Sequence, residues 1–476
     1  MTGIFISAAH KSSGKTTLSI GLCAALTDQG LAVQPFKKGP DYIDPMWLSL
    51  ASQQACRNLD FNIAGHAEIL ANYASYCRPA DICLVEGNKG LYDGMDLDGG
   101  NSNAAMAKLL RLPVILVIDA QGMSRGVAPL LLGYQAFDRE VAIAGVILNN
   151  IAGERHESKV RAVVEHYTDL PVVGAVRRNP AMRILERHLG LVPSNETGEA
   201  LERVRQIGAY VAQQVDLNRV VAIAKRAPHI EAALPAPLFP AHPAEKRPMR
   251  VGVARDKAFG FYYADDLDAL RQAGGTLVYL NMLEDRHLPP IDALFIGGGF
   301  PELFLAQLEA NITLRRELKH SIDAGLPVYA ECGGLMYLAR TIRWNGETRQ
   351  MVGAIPGDVI MNAKSIGRGY VKLRETGNSP WPTADMAPVG EINAHEFHYS
   401  SLQNLDGEVK FAYDVVRGYG VDGKHDGLIY KNLLASYTHL RSAQRYNWAA
   451  RFMAFVRQCS VGRREPPAVC DTTPVI

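Results

Sequence analysis

One stretch near the start leaves few folds open to this chain. The apolar run Gly3-Ile4-Phe5-Ile6 leads straight into Ser7-Ala8-Ala9-His10-Lys11-Ser12-Ser13-Gly14-Lys15-Thr16-Thr17, and an amphipathic helical pattern continues to about Asp28. A strand, a Gly-Lys-Thr turn and a helix in that order are the context a phosphate-binding loop requires. Backbone amides and the helix N-terminus meet phosphates there, Lys15 bridges them, and the Thr16 hydroxyl can ligate Mg²⁺. Ser12, Ser13, Gly14, Lys15, Thr16 and Thr17 are therefore the candidate nucleotide-binding residues. Ala8 and Ser12 stand where related loops often carry glycine, so this loop must close around small side chains instead.

The pattern that follows predicts a parallel sheet covered on both faces. Near-continuous apolar runs at Asp81–Val85, Val114–Ile118 and Ile143–Leu148 alternate with helical segments. Ligand loops in such sheets lie at the carboxyl ends of strands. One is Val33-Gln34-Pro35-Phe36-Lys37-Lys38-Gly39-Pro40-Asp41-Tyr42-Ile43-Asp44-Pro45, an apolar start followed by a Pro/Gly/Asp-rich turn. Lys37 and Lys38 could face phosphates or substrate carboxylates, and Asp41 and Asp44 could hold Mg²⁺. Each is equally compatible with a solvated turn. Glu86, directly after its apolar strand, is the expected second metal-side carboxylate. Asn149 and Asn150, at another strand end, are candidates for reading a nucleotide base or for a simple turn.

Six prolines fall between 228 and 248, a linker by composition. A second α/β pattern starts after it with Val251–Ala254. Within it, Ala330-Glu331-Cys332-Gly333-Gly334 follows a short apolar strand and precedes a helical pattern. A cysteine on such a turn projects its sulfur beside helix N-terminal amides, which favours a nucleophile over a buried core thiol. The glycine run Gly297-Gly298-Gly299 at another strand end suits an oxyanion hole, since glycine lets amides approach closely. His395, His398 and His439 are the candidate bases; the strand-like run into His439 favours that one modestly.

The composition excludes several classes. With 476 residues, 47% hydrophobic, 21% charged and a net charge of +1, nothing calls for a nucleic-acid or membrane partner. No apolar run reaches the roughly 18 residues of a membrane span. The start lacks a signal-peptide pattern, and seven scattered cysteines suggest neither a disulfide framework nor a metal motif, so a reducing cytoplasm is expected.

Several long motifs in one order resemble the cobyrinic acid a,c-diamide synthase family across nearly the whole chain. They are the Gln34–Pro45 stretch, Arg57-Asn58-Leu59-Asp60, Glu86-Gly87 with Gly90-Leu91-Tyr92-Asp93-Gly94, Glu186–Leu191, Ala258-Phe259 with Phe261-Tyr262-Tyr263, Gly297–Glu302, Glu331-Cys332-Gly333-Gly334 and His395–Ser400. The resemblance implies an ATP-dependent amidoligase domain at 1–227, related to dethiobiotin synthetase and the Min-type ATPases. A linker at 228–248, a triad-type (class I) glutamine amidotransferase α/β domain at 249–460 and a loosely held tail at 461–476 complete the expected layout. It further implies Cys332 and His439 as the catalytic pair, with Gly298, Gly299 and Gly333 as the oxyanion hole. ATP and Mg²⁺ would sit at the phosphate loop with Asp41 and Glu86. Lys37, Lys38, Tyr42, Asp44, Tyr92 and Asp93 would face the second substrate, a tetrapyrrole polycarboxylate amidated through an acyl phosphate with glutamine nitrogen. A homodimer is compatible with this reading.

Three positions depart from the family pattern: the glycine-poor loop, Asn88-Lys89 after Glu86-Gly87, and Leu440-Arg441 after His439. The last removes the Glu that orients the base in many triad enzymes. The first two resemble a subgroup linked to dissimilatory sulfite reductase, which implies sirohaem or its precursor as the first-choice substrate, with cobyrinic acid as the alternative. Rival readings are a Min-type nucleotide switch, disfavoured because His10 occupies the place of that family's signature lysine, and a degenerate glutaminase using free ammonia.

Overall fold

A computed structural model describes residues 2–180, 184, 186–187, 190–196, 198–228, 230, 248–381 and 390–461. The expected linker at 228–248 and tail at 461–476 lie almost wholly outside these residues. The described residues form two compact units. One draws on Met1–Leu238, Phe261–Asp265 and Ala443–Arg445, the other on Phe239–Gly260, Asp266–Ser442 and Tyr446–Ile476.

The first unit contains β1 (Gly3–Ala8), α1 (Lys15–Asp28), β2 (Val33–Lys38), α2 (Ile43–Ser52), β3 (Arg57–Leu59), α3 (His66–Cys77), β4 (Ile82–Glu86), α4 (Asn103–Leu109), β5 (Val114–Asp119), α5 (Val127–Phe137), β6 (Ile143–Ile151), α6 (Glu154–Tyr167) and β7 (Val172–Arg177). A short pair, β8 (Glu186–Arg187) and β9 (Gly190–Leu191), precedes α7 (Ala200–Gln214) and α8 (Leu217–Ala224). Its sheet has the order β3-β2-β4-β1-β5-β6-β7, parallel throughout. Strands β1 and β4 are buried along their whole length, as their unbroken apolar runs require when helices cover both faces. β2 is also fully buried, although it ends in Lys37 and Lys38. Two ammonium groups on a buried strand need partners, and these define the site below.

The second unit contains β10 (Met249–Ala254), β11 (Phe259–Phe261, its last residue grouped with the first unit), α9 (Ala264–Gln272, its first two residues grouped with the first unit), β12 (Gly275–Leu280), β13 (Ala293–Ile296), β14 (Gly298–Gly299), α10 (Leu305–Ala310), α11 (Ile312–Asp323), β15 (Val328–Glu331) and α12 (Gly333–Leu338). Then come β16 (Ala339–Trp344), β17 (Glu347–Gln350), β18 (Ile355–Met361), β19 (Gly367–Glu375), β20 (Ile392–His398), β21 (Ser400–Gln403), β22 (Lys410–Arg417), β23 (His425–Tyr430), β24 (Leu433–Ser436) and α13 (Trp448–Val461). A nine-stranded sheet of order β12-β10-β13-β15-β24-β23-β22-β19-β20 is parallel through β24 and antiparallel beyond it. A second sheet has the order β17-β16-β18-β21. Leu294, Ile296, Val328, Ala330, Leu318 and Leu335 belong to the core that fixes β13, β15 and α12 together. Pairing of Glu331 with Ser436 puts the ends of β15 and β24 side by side, so residues that follow each strand share one edge.

Two expectations change. Phe261 closes a strand, and the helix expected from there begins at Ala264. The cysteines are not all unpaired: Cys77 and Cys83 form a disulfide, because the turn between α3 and β4 brings their backbones together. Among the described residues no helix is long and apolar enough to cross a membrane.

Candidate functional site

The first unit gathers its charged residues at the carboxyl edge of the sheet. The loop after β1 turns at Ser12 (φ 64) and Gly14 (φ 88), and α1 starts at Lys15. Gly14 is required by its left-handed backbone and by crowding, since a Cβ there would lie 2.2 Å from the Asn149 amide nitrogen. The Ser13 hydroxyl donates to the His10 carbonyl at 2.8 Å, and Asn149 Nδ2 donates to the Ser13 carbonyl at 2.9 Å. Asn149 therefore braces the loop, while Asn150 Nδ2 donates to Asp119 at 3.0 Å.

Below the loop, the Thr16 hydroxyl lies 2.6 Å from Glu86 Oε1 and 3.1 Å from Asp44 Oδ2. Lys37 Nζ bonds both carboxylates, reaching Glu86 Oε1 at 3.0 Å, and lies 3.7 Å from Asp41. Burial would depress the Lys37 ammonium, but Asp44, Glu86 and Asp41 outweigh it and hold it well above its ordinary range. Burial and the neighbouring Asp44 raise Asp41 to about 7, and burial raises Glu86 against the pull of Lys37. Lys15 is brought down to about 8 by burial, with Glu86 opposing. Lys37 is thus committed to the carboxylates, and Asp44 stands with Thr16 and Glu86. Asp41 Oδ1 accepts from the Ile43 and Asp44 amides, which caps the start of α2.

The other expected substrate residues are spread around this cluster. Lys38 Nζ donates to the Asn101 carbonyl, and burial lowers it to about 8. Tyr42 packs against Phe261 and Tyr263 with ring centroids 5.4 and 4.4 Å away. Tyr92 donates to the Tyr134 carbonyl at 2.7 Å, and Asp93 accepts from the Gly90 amide at 2.9 Å. Thr17 follows Thr16 within the first turn of α1.

Mg²⁺ can be tested against these donors. Among the described residues no three His, Cys, Asp or Glu side chains are arranged as a ready metal site. Yet the Thr16 hydroxyl, Asp44 and Glu86 are hard oxygen donors, and Glu86 Oε2 is buried with no hydrogen-bond partner. These residues fit a Mg²⁺ ion that arrives with a nucleotide.

In the second unit Cys332 sits between β15 and α12 with φ 48 and ψ −102, an uncommon conformation for any side-chain-bearing residue. Two backbone bonds hold it: its amide donates to the Ser436 carbonyl at 2.7 Å, and its carbonyl accepts from Met336 at 3.0 Å. A Cβ on Gly334 would lie 2.3 Å from the Ile296 carbonyl, and one on Gly333 would lie 3.0 Å from the Gly299 amide nitrogen. The elbow is therefore packed against the backbone of Ile296 and Gly299, which brings the oxyanion candidates Gly299 and Gly333 together.

His439 is the histidine that meets Cys332. Burial would depress its imidazole, but hydrogen bonds to Cys332 and Glu331 and their charge raise it to about 10. Its Nδ1 is 3.3 Å from Glu331 Oε2. His395 stacks on it at 4.9 Å and is held well below its ordinary range by burial and by the charges of His439 and Arg441. His398 instead stacks on Tyr437 at 4.1 Å and shares Nδ1 with the Ser400 carbonyl at 2.8 Å. Glu331 is the residue that sequence reasoning passed over; its only signal was its place immediately before the nucleophile.

Comparison with known proteins agrees with both halves. Residues 4–192 match the CobQ/CobB/MinD/ParA nucleotide binding domain, and residues 250–446 match the CobB/CobQ-like glutamine amidotransferase domain. The chain is 46% identical over 464 residues to a cobyrinate a,c-diamide synthase of Magnetococcus marinus, covering 96% of this chain and 97% of that protein. It is 41% identical over 468 residues to the enzyme of the same name from Methanosarcina acetivorans, covering 92% of each. A Listeria monocytogenes protein of that name is 38% identical over 449 residues, 93% of this chain and 97% of its own length.

Proposed function

We propose, for a chain that belongs to the cobyrinate a,c-diamide synthase family, that its substrate is cobyrinate and its products are the a- and c-amides. The chain is an ATP-dependent ligase that takes its nitrogen from glutamine. The observation that carries the substrate assignment is the match along nearly the full length of both chains to proteins named for that reaction. This reverses the order of substrates expected from the motifs, which put sirohaem first; none of these relatives supports the sirohaem subgroup. Asn88, one of the departures behind that order, accepts from Lys38 at 3.5 Å and so has a place within the cluster.

The chemistry divides between the units. Cys332 attacks the glutamine carboxamide carbon, the Gly298, Gly299 and Gly333 amides hold the oxyanion, and His439 passes the thiol proton to the departing ammonia. Water then cleaves the thioester and releases glutamate. In the other unit the amides from Ser12 to Thr17 and Lys15 hold the ATP phosphates, and Lys15 offsets charge as the γ-phosphoryl group moves to a substrate carboxylate. A carboxylate is a poor electrophile until it becomes an acyl phosphate; ammonia then displaces phosphate and leaves an amide. Thr16, Asp44 and Glu86 would hold Mg²⁺, which supplies charge neutralisation on the phosphates when bound.

The test is mass spectrometry of cobyrinic acid and of sirohaem after incubation with ATP, Mg²⁺ and amide-¹⁵N glutamine. Two ¹⁵N amides on cobyrinic acid and none on sirohaem are expected; amidation of sirohaem alone would overturn the assignment.

A further inference from the structure

The acid that orients His439 is missing from its usual place, because Arg441 stands where many triad enzymes carry it. We propose that Glu331 is the positioning residue of this glutaminase, holding the His439 imidazole from the position directly before the nucleophile. The inference rests on the glutaminase reading of Cys332 and His439.

Three observations carry it. First, the Glu331 carboxylate grips His439 twice. Oε2 takes Nδ1 of the ring at 3.3 Å, and Oε1 accepts from the amide of the next residue, Leu440, at 2.9 Å. With Nδ1 donating to a carboxylate, Nε2 is the nitrogen left to serve the thiol, which is the tautomer that proton transfer needs. Second, the carboxylate is itself fixed: Tyr329 donates to Oε1 at 2.5 Å, and Glu331 is 3% exposed. Third, neighbouring residues of an extended strand point to opposite faces, so Glu331 and Cys332 would ordinarily never reach one imidazole. The left-handed turn at Cys332 removes that obstacle. The elbow thus lets both side chains converge on His439.

Other groups around the ring do not offer the same service. Asp426 is buried on the strand next to β24, but its oxygens accept from the Tyr437 and Thr438 amides at 3.0 Å each. It holds the chain leading to His439, not the ring. His395 covers the ring face and exchanges backbone bonds with His439 at 2.8 and 3.3 Å, while Arg441 contributes positive charge near His395. Glu331 is therefore the carboxylate that bonds the imidazole at Nδ1. The proton leaves Cys332, rests on His439 Nε2 and goes to ammonia as the C–N bond breaks.

The experiment uses the full chain with Glu331→Gln, Glu331→Asp and Cys332→Ala, each checked for an unchanged melting profile. The carboxamide of Glu331→Gln would keep an oxygen for Leu440 and Tyr329 but turn an N–H toward Nδ1, forcing the wrong tautomer. Glutamine-dependent kcat should fall about 10²–10⁴-fold, KM for glutamine should move less than about threefold, and amidation with free ammonium should be unchanged. The alkaline limb of kcat/KM should move to lower pH, because the charge that keeps the proton on His439 is gone. Glu331→Asp should recover at least part of the rate. Glutamine turnover in Glu331→Gln within about threefold of wild type, with an unmoved alkaline limb, would overturn the proposal. So would parallel loss of glutamine- and ammonium-dependent activity. If Cys332→Ala still hydrolyses glutamine, the glutaminase reading itself fails, a result separable from the other two.

Discussion

Replacing Lys37 by Met tests how the nucleotide site holds its charge. Lys37 is 3% exposed and Glu86 fully buried, so the substitution leaves a stem of similar shape and removes the cation bonded to Asp44 and Glu86. Breaking a buried ion pair by removing one partner costs about 3–5 kcal/mol. For a unit of this size each kcal/mol shifts Tm by roughly 2–4 °C, which gives a loss of roughly 6–20 °C. The pH dependence follows from the carboxylates. Burial and the charge of Asp44 already put Asp41 at about 7, and burial raises Glu86; without Lys37 both rise further. The folded state then keeps protons that the unfolded chain releases above about pH 4, so stability is lost as pH climbs through the raised values. The deficit should be small at pH 5 and full at pH 8. Calorimetry on the full chain, following the transition that ATP shifts, measures it. Millimolar Mg²⁺ should restore more of the loss in Lys37→Met than it adds to the wild type, since the ion can take the vacated place between the same oxygens. A deficit equal at pH 5 and pH 8, or absent at both, would refute the reasoning.

Four further outcomes are expected. Thr16→Val loses the hydroxyl shared by Glu86 and Asp44, so ATP-dependent amidation should fall at least about tenfold while glutamine hydrolysis by Cys332, assayed alone, persists. Gly14→Ala forces a φ of 88 on a side chain, a strain of about 1–2 kcal/mol, and displaces Asn149; titration calorimetry should show ATP binding weakened about tenfold or more. Gly334→Ala drives a methyl to 2.3 Å from the Ile296 carbonyl, so glutaminase activity should disappear with ATP affinity unchanged. Finally, His439 is raised to about 10, so its protonation adds stability in full below its unfolded value near 6.5 and loses it as pH rises toward 10. Relative to His439→Gln, the wild-type transition of the second unit should fall in Tm between pH 6.5 and 9.5.

Local pattern was enough to find the turns at Cys332 and at Gly14-Lys15-Thr16 because each sits where an apolar strand meets a helix over small residues. The chemistry of the charged residues was less legible. Lys37 and Lys38 looked available for a substrate, yet both are on a buried strand and take hydrogen-bond partners far away in sequence, Glu86 and the Asn101 carbonyl among them. Asp41 and Asp44 could not be told apart by spacing; only the start of α2 turns one into a cap and leaves the other beside Thr16. Asn149, at a strand end, could equally have been a base reader or a turn residue; its side-chain nitrogen bonds the Ser13 carbonyl. The four-stranded sheet of β17, β16, β18 and β21 had no clear signal, since half-buried strands with charged residues resemble loops when taken one at a time.

The two units meet the same electrostatic demand in the same way. Each places a glutamate at the last residue of an inner parallel strand, Glu86 on β4 and Glu331 on β15, and each glutamate is nearly or wholly removed from water. In both, the carboxylate helps keep a proton on a neighbouring base that burial alone would discharge: Asp44 and Glu86 act together on the Lys37 amine, and Cys332 and Glu331 on the His439 imidazole. Strand ends are where this works, because the backbone there leaves the sheet and several loops converge on one edge. The arrangement also explains why the glycine-poor loop is tolerated. Ser12 adopts φ 64, a left-handed conformation that costs a residue with a side chain about 1–2 kcal/mol. The bonds from Ser13 to His10 and from Asn149 to Ser13 act against that strain and hold the loop over Thr16 and Glu86. If that is so, Asn149→Ala should loosen the loop and weaken ATP more than it weakens folding, whereas Ser12→Gly should strengthen folding and leave the ATP constant close to wild type.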